Sequence, residues 1–534
     1  MNTFANMRKD VLLALFSGLI LIAAWPTSGL SVLLFVAFVP LLLLTDYIIA
    51  HGKSGKRLFL CAYAAFLTWN MGTTWWIYHA TFGGALLAFV FNALFMALIF
   101  RLFFETRRKL GRIPGYIALV AYWIAFEYLH LSWELSWPWL TLGNGFSESY
   151  KWVQWYEYTG VFGGTLWVWL INILLYEALR ASSFLRRRLI LLSAAILLVL
   201  LPVGTSWYRY SGYTEKGEAH ECVVIQPNVD PYNEKFSNVP GEDQLAKILQ
   251  LGSSVADSSV EYFIAPETAL PFDHRENDIQ QNPDIKTITT FLHAFPKASF
   301  ITGMSTSRAY SPGEPLSETV RKFPNGTFYD DYNTAVQINQ AGKVQFYHKS
   351  KLVPGVERMP YPGMFKFVEK FAIDLGGTVG SYGTQKERTP FLSNNGVKVG
   401  TPICYESIYG EFLNGFVENG ARYIFIITND GWWGDTPGYK QHMSYARLRA
   451  IETRRSIARS ANTGISCFIN QRGDVLQSSP WWKPEALRAK LKANDELTFY
   501  TSHGDYIAKF FACIAIGLML ITFATHFFRK KTDL

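Results

Sequence analysis

Residues 399–415 read VGTPICYESIYGEFLNG and join a short apolar run to a helix-like stretch through one cysteine. Cys404 ends the apolar run, and Glu406 follows it by two residues. In α/β folds, functional side chains collect where a strand gives way to a loop or a helix. Cys404 is therefore either a small thiol packed at the end of a core strand or a nucleophile held where a strand turns into a helix.

Similar apolar runs recur between about residue 215 and residue 505. They read ECVVIQPN, VEYFIAPE, ASFITGMS, NTAVQIN, KVQFYHK, YIFIITND and ISCFIN. Uninterrupted apolar runs are expected of strands that are buried on both faces. Helical patterns lie between them, as at 241–257 and 439–462. The alternation predicts an α/β domain at 215–505, with layered sheets and covering helices.

The rest of the chain is strongly apolar and predicts a polytopic α-helical membrane domain. Segments long enough for the roughly 20 residues that cross a bilayer lie at 10–25, 29–50, 58–78, 83–104, 115–133, 160–180, 188–207 and 506–528. They give seven spans within 1–210, an eighth at 506–528 and a tail at 529–534. The first segment resembles a signal peptide, but further spans follow at once, so we expect it to be retained.

Basic residues cluster in alternate loops between these segments. The clusters lie at 53–57, 107–112, 186–188 and 529–531. Lys and Arg are retained on the cytoplasmic side of a membrane, so the pattern predicts cytoplasmic termini and an exported domain at 215–505. Much of the net charge of +8 belongs to these loops. The charge therefore gives no argument for binding nucleic acid.

Five cysteines are present, and none is spaced as CxxC: Cys61, Cys222, Cys404, Cys467 and Cys513. The spacing indicates neither a disulfide framework nor a metal site, although a Cys222–Cys467 pair stays open because its geometry cannot be read from sequence. No Walker loop, no GxGxxG in a βαβ setting and no His/Asp metal spacing occurs. We therefore expect no cofactor and no metal.

Three apolar runs end in side chains that could carry out one reaction together. YFIAPET places Glu267 at a strand end, FYHKSKLVP does the same for Lys349, and TPICYES for Cys404. A free thiol with a pKa near ~8.5 is mostly protonated at neutral pH and needs activation. A carboxylate can take its proton, and an ammonium can stabilise the oxyanion of a tetrahedral intermediate. Taken singly, a strand-end Glu or Lys is more often an ordinary solvated loop residue.

Four short motifs, taken in order, resemble the catalytic segments of the nitrilase superfamily. They are APET at 265–268, YHKSKLVP at 347–354, CYE at 404–406 and TNDGWWG at 428–434. With the membrane spans, the chain is similar over nearly its whole length to the apolipoprotein N-acyltransferase family. The segments SWPWLTLGNGFS and QPNVDPYNEKF resemble that family as well.

The resemblance implies an αββα sandwich at 215–505 and a Glu–Lys–Cys triad. It makes Glu267 the general base, Lys349 the oxyanion stabiliser and Cys404 the acylated nucleophile. Lys351 does not match the lysine position of the family.

The resemblance also implies supporting or substrate-binding roles for Glu357, Tyr405 and Glu406. The family usually reads PFGE where this chain reads PGVE at 354–357, so the approach of the chain to Glu357 differs. His442 follows TNDGWWG on a helical pattern. The triad needs no histidine, so we expect a structural role for it.

The family function implies particular substrates and a location. Cys404 would take an acyl chain from a membrane phospholipid, and the α-amine of a diacylglyceryl-cysteine at the N-terminus of a lipoprotein would then take it from the thioester. The resemblance implies a multi-pass protein of the bacterial inner membrane, with the catalytic domain in the periplasm. We expect the chain to act as a monomer, without cofactor, metal or nucleic acid.

The segment 359–374 reads MPYPGMFKFVEKFAID and has two interpretations. Phe365, Phe367 and Phe371 are either ordinary core or a lid that dips into the bilayer surface to admit a lipid chain. The resemblance favours the lid. Glu127, inside the predicted fifth span, is either a structural hydrogen-bonding group or part of a lipid cleft.

Two rival functions are open to the same sequence. A membrane-tethered amidase or nitrile hydrolase would use the same triad on a soluble substrate, but it hardly needs eight spans. A transporter with an external binding domain is the other rival. The scarcity of charge within the spans argues against a path for ions or polar solutes.

Overall fold

The computed structural model describes residues 2–236, 239–358, 360–361 and 381–532. The chain divides into two compact units. The first comprises Met1–Tyr78, Gly83–Gly212 and Asp505–Leu534, and the second comprises His79–Phe82 and Tyr213–Gly504.

Long helices build the first unit. They are α1 Asn2–Ala24, α2 Val39–Ala50, α3 Gly55–Thr74, α4 Phe82–Leu110, α5 Arg112–His130, α6 Tyr156–Arg180, α7 Leu185–Gly212 and the C-terminal helix Tyr506–Thr532. Among the described residues, five segments are long and apolar enough to cross a membrane: Ser31–Ala50, Phe82–Leu110, Tyr156–Arg180, Leu185–Gly212 and Tyr506–Thr525. A helix lies at each predicted span, but the count of eight spans stays a prediction.

The carboxylate of Glu127 is buried inside the first unit. It accepts hydrogen bonds from Nε1 of Trp123 at 2.9 Å, the backbone N–H of Leu142 at 2.8 Å and the hydroxyl of Thr165 at 2.7 Å. These donors tie α5 to α6 and to the segment between them. Of the two interpretations of Glu127, the contacts favour a structural hydrogen-bonding group.

Two sheets build the second unit. The strands of the larger sheet are β1 Glu218–Gln226, β2 Tyr262–Ile264, β3 Leu270–Arg275, β4 Ser299–Ala309, β5 Arg321–Lys322, β6 Phe328–Ile338, β7 Val344–His348 and β14 Glu485–Ala493. Those of the smaller sheet are β8 Phe391–Leu392, β9 Lys398–Gly400, β10 Tyr423–Thr428, β11 Ser456–Ala461, β12 Cys467–Ile469 and β13 Val475–Ser478. The helices of this unit are α8 Gly241–Ser254, α9 Pro283–Leu292, α10 Gly410–Glu418, α11 Pro437–Thr453 and α12 Phe499–His503.

Both sheets are mixed, with parallel strands at their centres. The larger has the order β14-β1-β2-β4-β6-β5, with β3 paired to β4 and β7 to β6, and the smaller runs β13-β12-β11-β10-β9-β8. Pairing is parallel for β1 with β2, β2 with β4, β9 with β10 and β10 with β11. Parallel strands need covering on both faces, which explains the uninterrupted apolar runs of the sequence.

The two sheets pack face to face with helices outside them. Tyr262 of β2 meets Phe425 of β10 edge to face at 5.2 Å, and the hydroxyl of Ser460 donates to the carbonyl of Ile225 at 2.8 Å. On the outer face of the larger sheet, Ile248 of α8 and Ile288 of α9 join one buried cluster with the strands. The predicted αββα sandwich is confirmed.

Candidate active site

Glu267, Lys349 and Cys404 follow three different strands and meet in space. Glu267 lies three residues after β2, Lys349 directly follows β7, and Cys404 begins the 3-10 helix Cys404–Ile408 after β9. Nζ of Lys349 lies 2.9 Å from Oε1 of Glu267. The charges of both groups act on the Cys404 thiol, and all three side chains are buried. The fold therefore brings the predicted nucleophile, base and ammonium into one cluster.

Glu357, for which the resemblance implies a supporting role, lies in the same cluster. Nζ of Lys349 also lies 2.8 Å from Oε1 of Glu357, whose second oxygen accepts the backbone N–H of Val353 at 2.8 Å. The unusual PGVE sequence nevertheless brings the carboxylate to the lysine. Lys349 is thus held between two carboxylates, which fixes its ammonium.

Asn333 of β6 is a member of the site that sequence reasoning missed. Its amide donates to Oε1 of Glu267 at 2.8 Å and to Oε1 of Glu357 at 3.1 Å. The backbone carbonyl of Asn333 accepts the backbone N–H of Lys349 at 2.8 Å. The side-chain amide of Asn333 therefore bridges the two carboxylates, and its backbone holds the strand end that carries the ammonium.

The turn after Glu267 requires a close approach between strands. Thr268 has a φ of +46°, in the left-handed region that a threonine rarely adopts. A Cβ at Gly303 of β4 would lie 2.5 Å from the backbone nitrogen of Thr268 and 2.7 Å from Cα of Glu267. Only glycine lets β4 lie so close to the carboxylate-bearing turn.

Cys404, the predicted nucleophile, sits in a strained backbone conformation. Cys404 has a φ of +51°, and such strain persists only where the surroundings hold it. Its carbonyl accepts the hydroxyl of Ser407 at 2.7 Å and Nε2 of His442 at 3.2 Å. These contacts hold the strand-to-helix turn through the backbone of Cys404 and leave its Sγ uninvolved.

His442 lies in a buried cluster with Asp430 and Arg459. Its Nδ1 lies 3.0 Å from Oδ1 of Asp430, and the other oxygen of Asp430 lies 2.7 Å from Arg459. Burial raises the pKa of Asp430, but the charges of Arg459 and His442 outweigh it and hold that pKa below its usual range. Nε2 of His442 lies near the backbone carbonyl of Cys404 and 3.0 Å from the hydroxyl of Ser407. The structural role of His442 stays a prediction.

Glu406 ties the strand end of Lys349 to the turn of Cys404. It is fully buried, and it accepts the backbone N–H groups of Ser350 at 2.6 Å, Lys351 at 3.2 Å and Ile403 at 2.8 Å. These contacts give it a positioning role. Tyr405 is buried and packs edge to face on Tyr409 at 5.2 Å.

The charges of the site oppose one another. Burial raises the pKa of Glu267, but the charge of Lys349 and the hydrogen bonds from Lys349 and Asn333 bring it below the ordinary value. Burial lowers the pKa of Lys349, yet Glu267 and Glu357 raise it well above the ordinary value. Burial and the charge of Glu267 raise the pKa of the Cys404 thiol. The resting cluster is therefore a carboxylate, an ammonium and a neutral thiol.

The remaining expectations from the sequence concern the lid, the Cys222–Cys467 pair, Lys351 and metal binding. Phe365, Phe367 and Phe371 lie outside the described residues, so the lid stays a prediction. Cys222 and Cys467 are both buried free thiols, so the open pairing is not formed. Nζ of Lys351 lies 5.0 Å from the ring centroid of Tyr409. Within the described parts of the chain, no group of three His, Cys, Asp or Glu side chains could hold a metal ion.

Comparison with known proteins places both units. Residues 237–496 match the family model of the carbon-nitrogen hydrolases, and residues 17–174 match that of the apolipoprotein N-acyltransferase N-terminal domain. A nitrilase-superfamily amidase from Nesterenkonia is 14% identical, with a TM-score of 0.35 over 56% of this chain and 99% of its own. The match of residues 237–496 makes the sandwich a domain of the carbon-nitrogen hydrolase class.

Some relatives are similar to this chain over nearly its whole length. The apolipoprotein N-acyltransferase of Chlorobaculum tepidum is 30% identical over 96% of this chain and 96% of its own. That of Geobacter metallireducens is 28% identical over 98% of this chain and 96% of its own. The chain belongs to the apolipoprotein N-acyltransferase family.

Proposed function

We propose that this chain transfers a fatty acyl group from a membrane phospholipid, through a thioester on Cys404, to the α-amine of the N-terminal diacylglyceryl-cysteine of apolipoproteins. The observation that carries the proposal is the buried thiol under the charges of Glu267 and Lys349. That site stands in a chain whose apolar helices are long enough to cross a membrane.

In the first half-reaction, Sγ of Cys404 attacks an ester carbonyl of the phospholipid. Glu267 takes the thiol proton as the C–S bond forms, because a neutral thiol is a poor nucleophile. Lys349 stabilises the oxyanion. The C–O bond then breaks, Glu267 returns the proton to the leaving oxygen, and lysophospholipid departs.

In the second half-reaction, the neutral α-amine of the lipoprotein attacks the thioester. The C–N bond forms, and Lys349 again stabilises the oxyanion. The C–S bond then breaks, and the proton lost by the amine passes through Glu267 to Sγ. The product is an N-acylated lipoprotein and the free thiol, so the cycle closes without a cofactor.

Supporting residues keep these groups in register. Glu357 would hold the ammonium of Lys349, which it contacts. Asn333 would hold the carboxylate of Glu267, since its amide contacts that group and Glu357 as well. Glu406 would fix the Lys349 strand end against the Cys404 turn through its three backbone contacts. Tyr405 follows the nucleophile directly and would line the same turn.

The proposal includes a membrane arrangement. Eight spans would place both termini in the cytoplasm and the catalytic domain in the periplasm of a bacterial inner membrane, as the positions of the basic loops favour. A lid bearing Phe365, Phe367 and Phe371 would admit the lipid chain and exclude water from the thioester. One chain carries every proposed group, so we expect it to act as a monomer.

A transfer assay tests this function. The purified chain in nanodiscs receives phospholipid with a labelled acyl group, together with a diacylglyceryl lipopeptide that has either a free or an acetylated α-amine. We expect label only on the free amine. Hydrolysis of a soluble amide without transfer to either lipopeptide would instead favour the amidase.

A further inference from the structure

Lys235 is a buried cation beside the active site. It lies in QPNVDPYNEKF, the segment that follows β1, and its side chain is 1% exposed. Its Nζ donates to the backbone carbonyl of Glu267 at 3.0 Å and to the hydroxyl of Thr268 at 2.7 Å. The ammonium thus contacts the residue that carries the general base and the strained residue after it.

The local structure of the segment directs Lys235 inward. The carbonyl of Asp230 accepts the backbone N–H of Lys235 at 2.9 Å. The amide of Gln244 on α8 donates to the carbonyl of Lys235 at 2.9 Å. The backbone of Lys235 is therefore held on both sides, and its side chain reaches the turn at Glu267.

An ammonium group at this buried position is energetically unfavourable unless its charge is compensated. Taking a charge out of water is strongly unfavourable unless the charge is compensated, whereas a neutral amide could hold a carbonyl oxygen at lower cost. The compensation comes from the cluster. Lys349 contacts the carboxylates of Glu267 and Glu357, and the negative charge of Glu267 also acts on Lys235, whose Nζ contacts the backbone carbonyl of the same residue. With Lys349 alone, the cluster would carry a net negative charge beside the thiol that must give up its proton.

We propose that Lys235 is a positioning residue that fixes the turn bearing Glu267 and keeps its carboxyl group ionised, ready to take the thiol proton. It acts through Glu267 and needs no contact with substrate. The inference rests on the proposed role of Glu267 as the general base.

The charge of Lys235 has a defined effect on pH dependence. Burial raises the pKa of Glu267, whereas Lys349, Asn333 and Lys235 lower it to below the ordinary value. The backbone N–H of Asn429 also donates to Oε2 of Glu267 at 3.1 Å. The other titratable neighbours are Glu357, which shares Lys349 and Asn333 with Glu267, and the Cys404 thiol. Removing the charge of Lys235 therefore raises the pKa of Glu267. Burial lowers the pKa of Lys235 itself to about 7, against the opposing charge of Glu267. Lys235 is thus charged throughout the acidic range in which a carboxyl group titrates.

Two neutral variants and one control test the proposal. Lys235→Met removes the charge and the donor, while Lys235→Gln keeps a donor. Lys247→Met removes a lysine of α8 whose Nζ lies 3.4 Å from the carbonyl of Asn228 in the same segment. The assay follows acylation of Cys404 in the full-length chain by a p-nitrophenyl acyl ester, from pH 4 to 8.

We expect the acidic limb of the acylation rate to move up by about one pH unit in both neutral variants, since an opposite charge lowers a carboxyl pKa by roughly 1 unit or more. At a given pH on that limb, the two neutral variants should be acylated about tenfold more slowly than the wild type, and this difference should narrow at higher pH. Lys247→Met should keep the wild-type profile. If the methionine variant does not fold, the glutamine variant carries the same comparison.

Three results would overturn the proposal: an unmoved limb with a uniform loss at all pH values, wild-type rates in Lys235→Met, or an equal shift in Lys247→Met. Failure of the proposed function is distinguishable, because it would appear as a wild-type chain that reacts with the activated ester but not with phospholipid.

Discussion

Two buried carboxylates, one in each unit, are held in different ways. Glu127 in the helical unit accepts hydrogen bonds from an indole, a backbone amide and a hydroxyl, all of them neutral. The carboxylate of Glu267 in the sandwich accepts hydrogen bonds from the ammonium of Lys349, the amide of Asn333 and the backbone N–H of Asn429. The ammonium of Lys235 donates to the backbone carbonyl of Glu267. Burial alone does not distinguish a carboxylate that can act as a base. The neighbouring ammonium groups do distinguish it, because they favour the ionised form that can accept a proton.

The largest effect should come from removing the proposed base. Glu267→Gln keeps the shape of the side chain but cannot accept the thiol proton, and general base catalysis contributes about 10²- to 10⁴-fold. We expect acylation of Cys404 by phospholipid to slow by about 10³-fold, measured as the rate of adduct formation. Thermal unfolding of the variant, followed in the same detergent, controls for loss of fold. A variant that acylates at near the wild-type rate would remove Glu267 from the mechanism.

Loss of the ammonium should be nearly as damaging. Lys349→Ala removes a preorganised charge from the oxyanion, and single donors of that kind are worth roughly 10²- to 10³-fold. Both half-reactions pass through an oxyanion. The rate of acylation and the rate of acyl transfer to a lipopeptide amine, each measured by stopped flow, should therefore fall together. Lys351→Ala is the matched control and should stay within about tenfold, since a residue with no chemical role falls short of the 10²-fold scale. Equal losses in the two variants would contradict the assignment.

A smaller effect is expected where a neutral group serves the charged cluster. Asn333→Leu removes one donor shared by Glu267 and Glu357, and hydrogen bonds to charged groups are worth about 1.5–3 kcal/mol. We expect acylation to slow by about 10- to 100-fold. Gln337→Leu, on the same strand, removes a buried amide that donates to the carbonyl of Leu392 instead. If it slows acylation as much as Asn333→Leu, the loss belongs to β6 and not to the cluster.

The smallest effect is expected at the carboxylate of the helical unit. Glu127→Gln leaves an oxygen for the indole and the backbone amide, and the Thr165 hydroxyl can rotate to accept from the new amide. Exchange of neutral hydrogen bonds is worth roughly 1 kcal/mol, so turnover should stay within about fivefold. A loss comparable to that in Glu267→Gln, in a chain of unchanged unfolding temperature, would show that neutral donors also mark a functional carboxylate here.

The sandwich and its triad could be predicted because their signals are local. Uninterrupted apolar runs marked the strands, and each of Glu267, Lys349 and Cys404 stands at the end of one run. Asn333 could not be found in this way, because an asparagine inside the strand FYDDYNTAVQI differs in no local respect from its polar neighbours. Its contacts with Glu267 and Glu357 depend on the order of β2, β4, β6 and β7 in the larger sheet, which sequence spacing does not encode.

Lys235 and Glu406 show a different limit. Both lie in motifs that the sequence singled out, but the direction of their side chains depends on long-range contacts. Glu406 accepts backbone N–H groups from residues 350 and 351, more than fifty positions away. The signal for Lys235 was its place in a family-like segment directly after a buried strand, and only the fold brings it to the turn at Glu267.

The most direct test of the thioester on Cys404 is the intact mass of the purified chain after exposure to phospholipid in nanodiscs. We expect one acyl adduct, located on Cys404 by peptide mapping, released by hydroxylamine, and discharged by a lipopeptide with a free α-amine. Cys404→Ser should carry no such adduct. An adduct that persists in Cys404→Ser, or a wild-type chain that transfers acyl groups without ever carrying one on Cys404, would contradict the claim and return Cys404 to the role of a packed thiol.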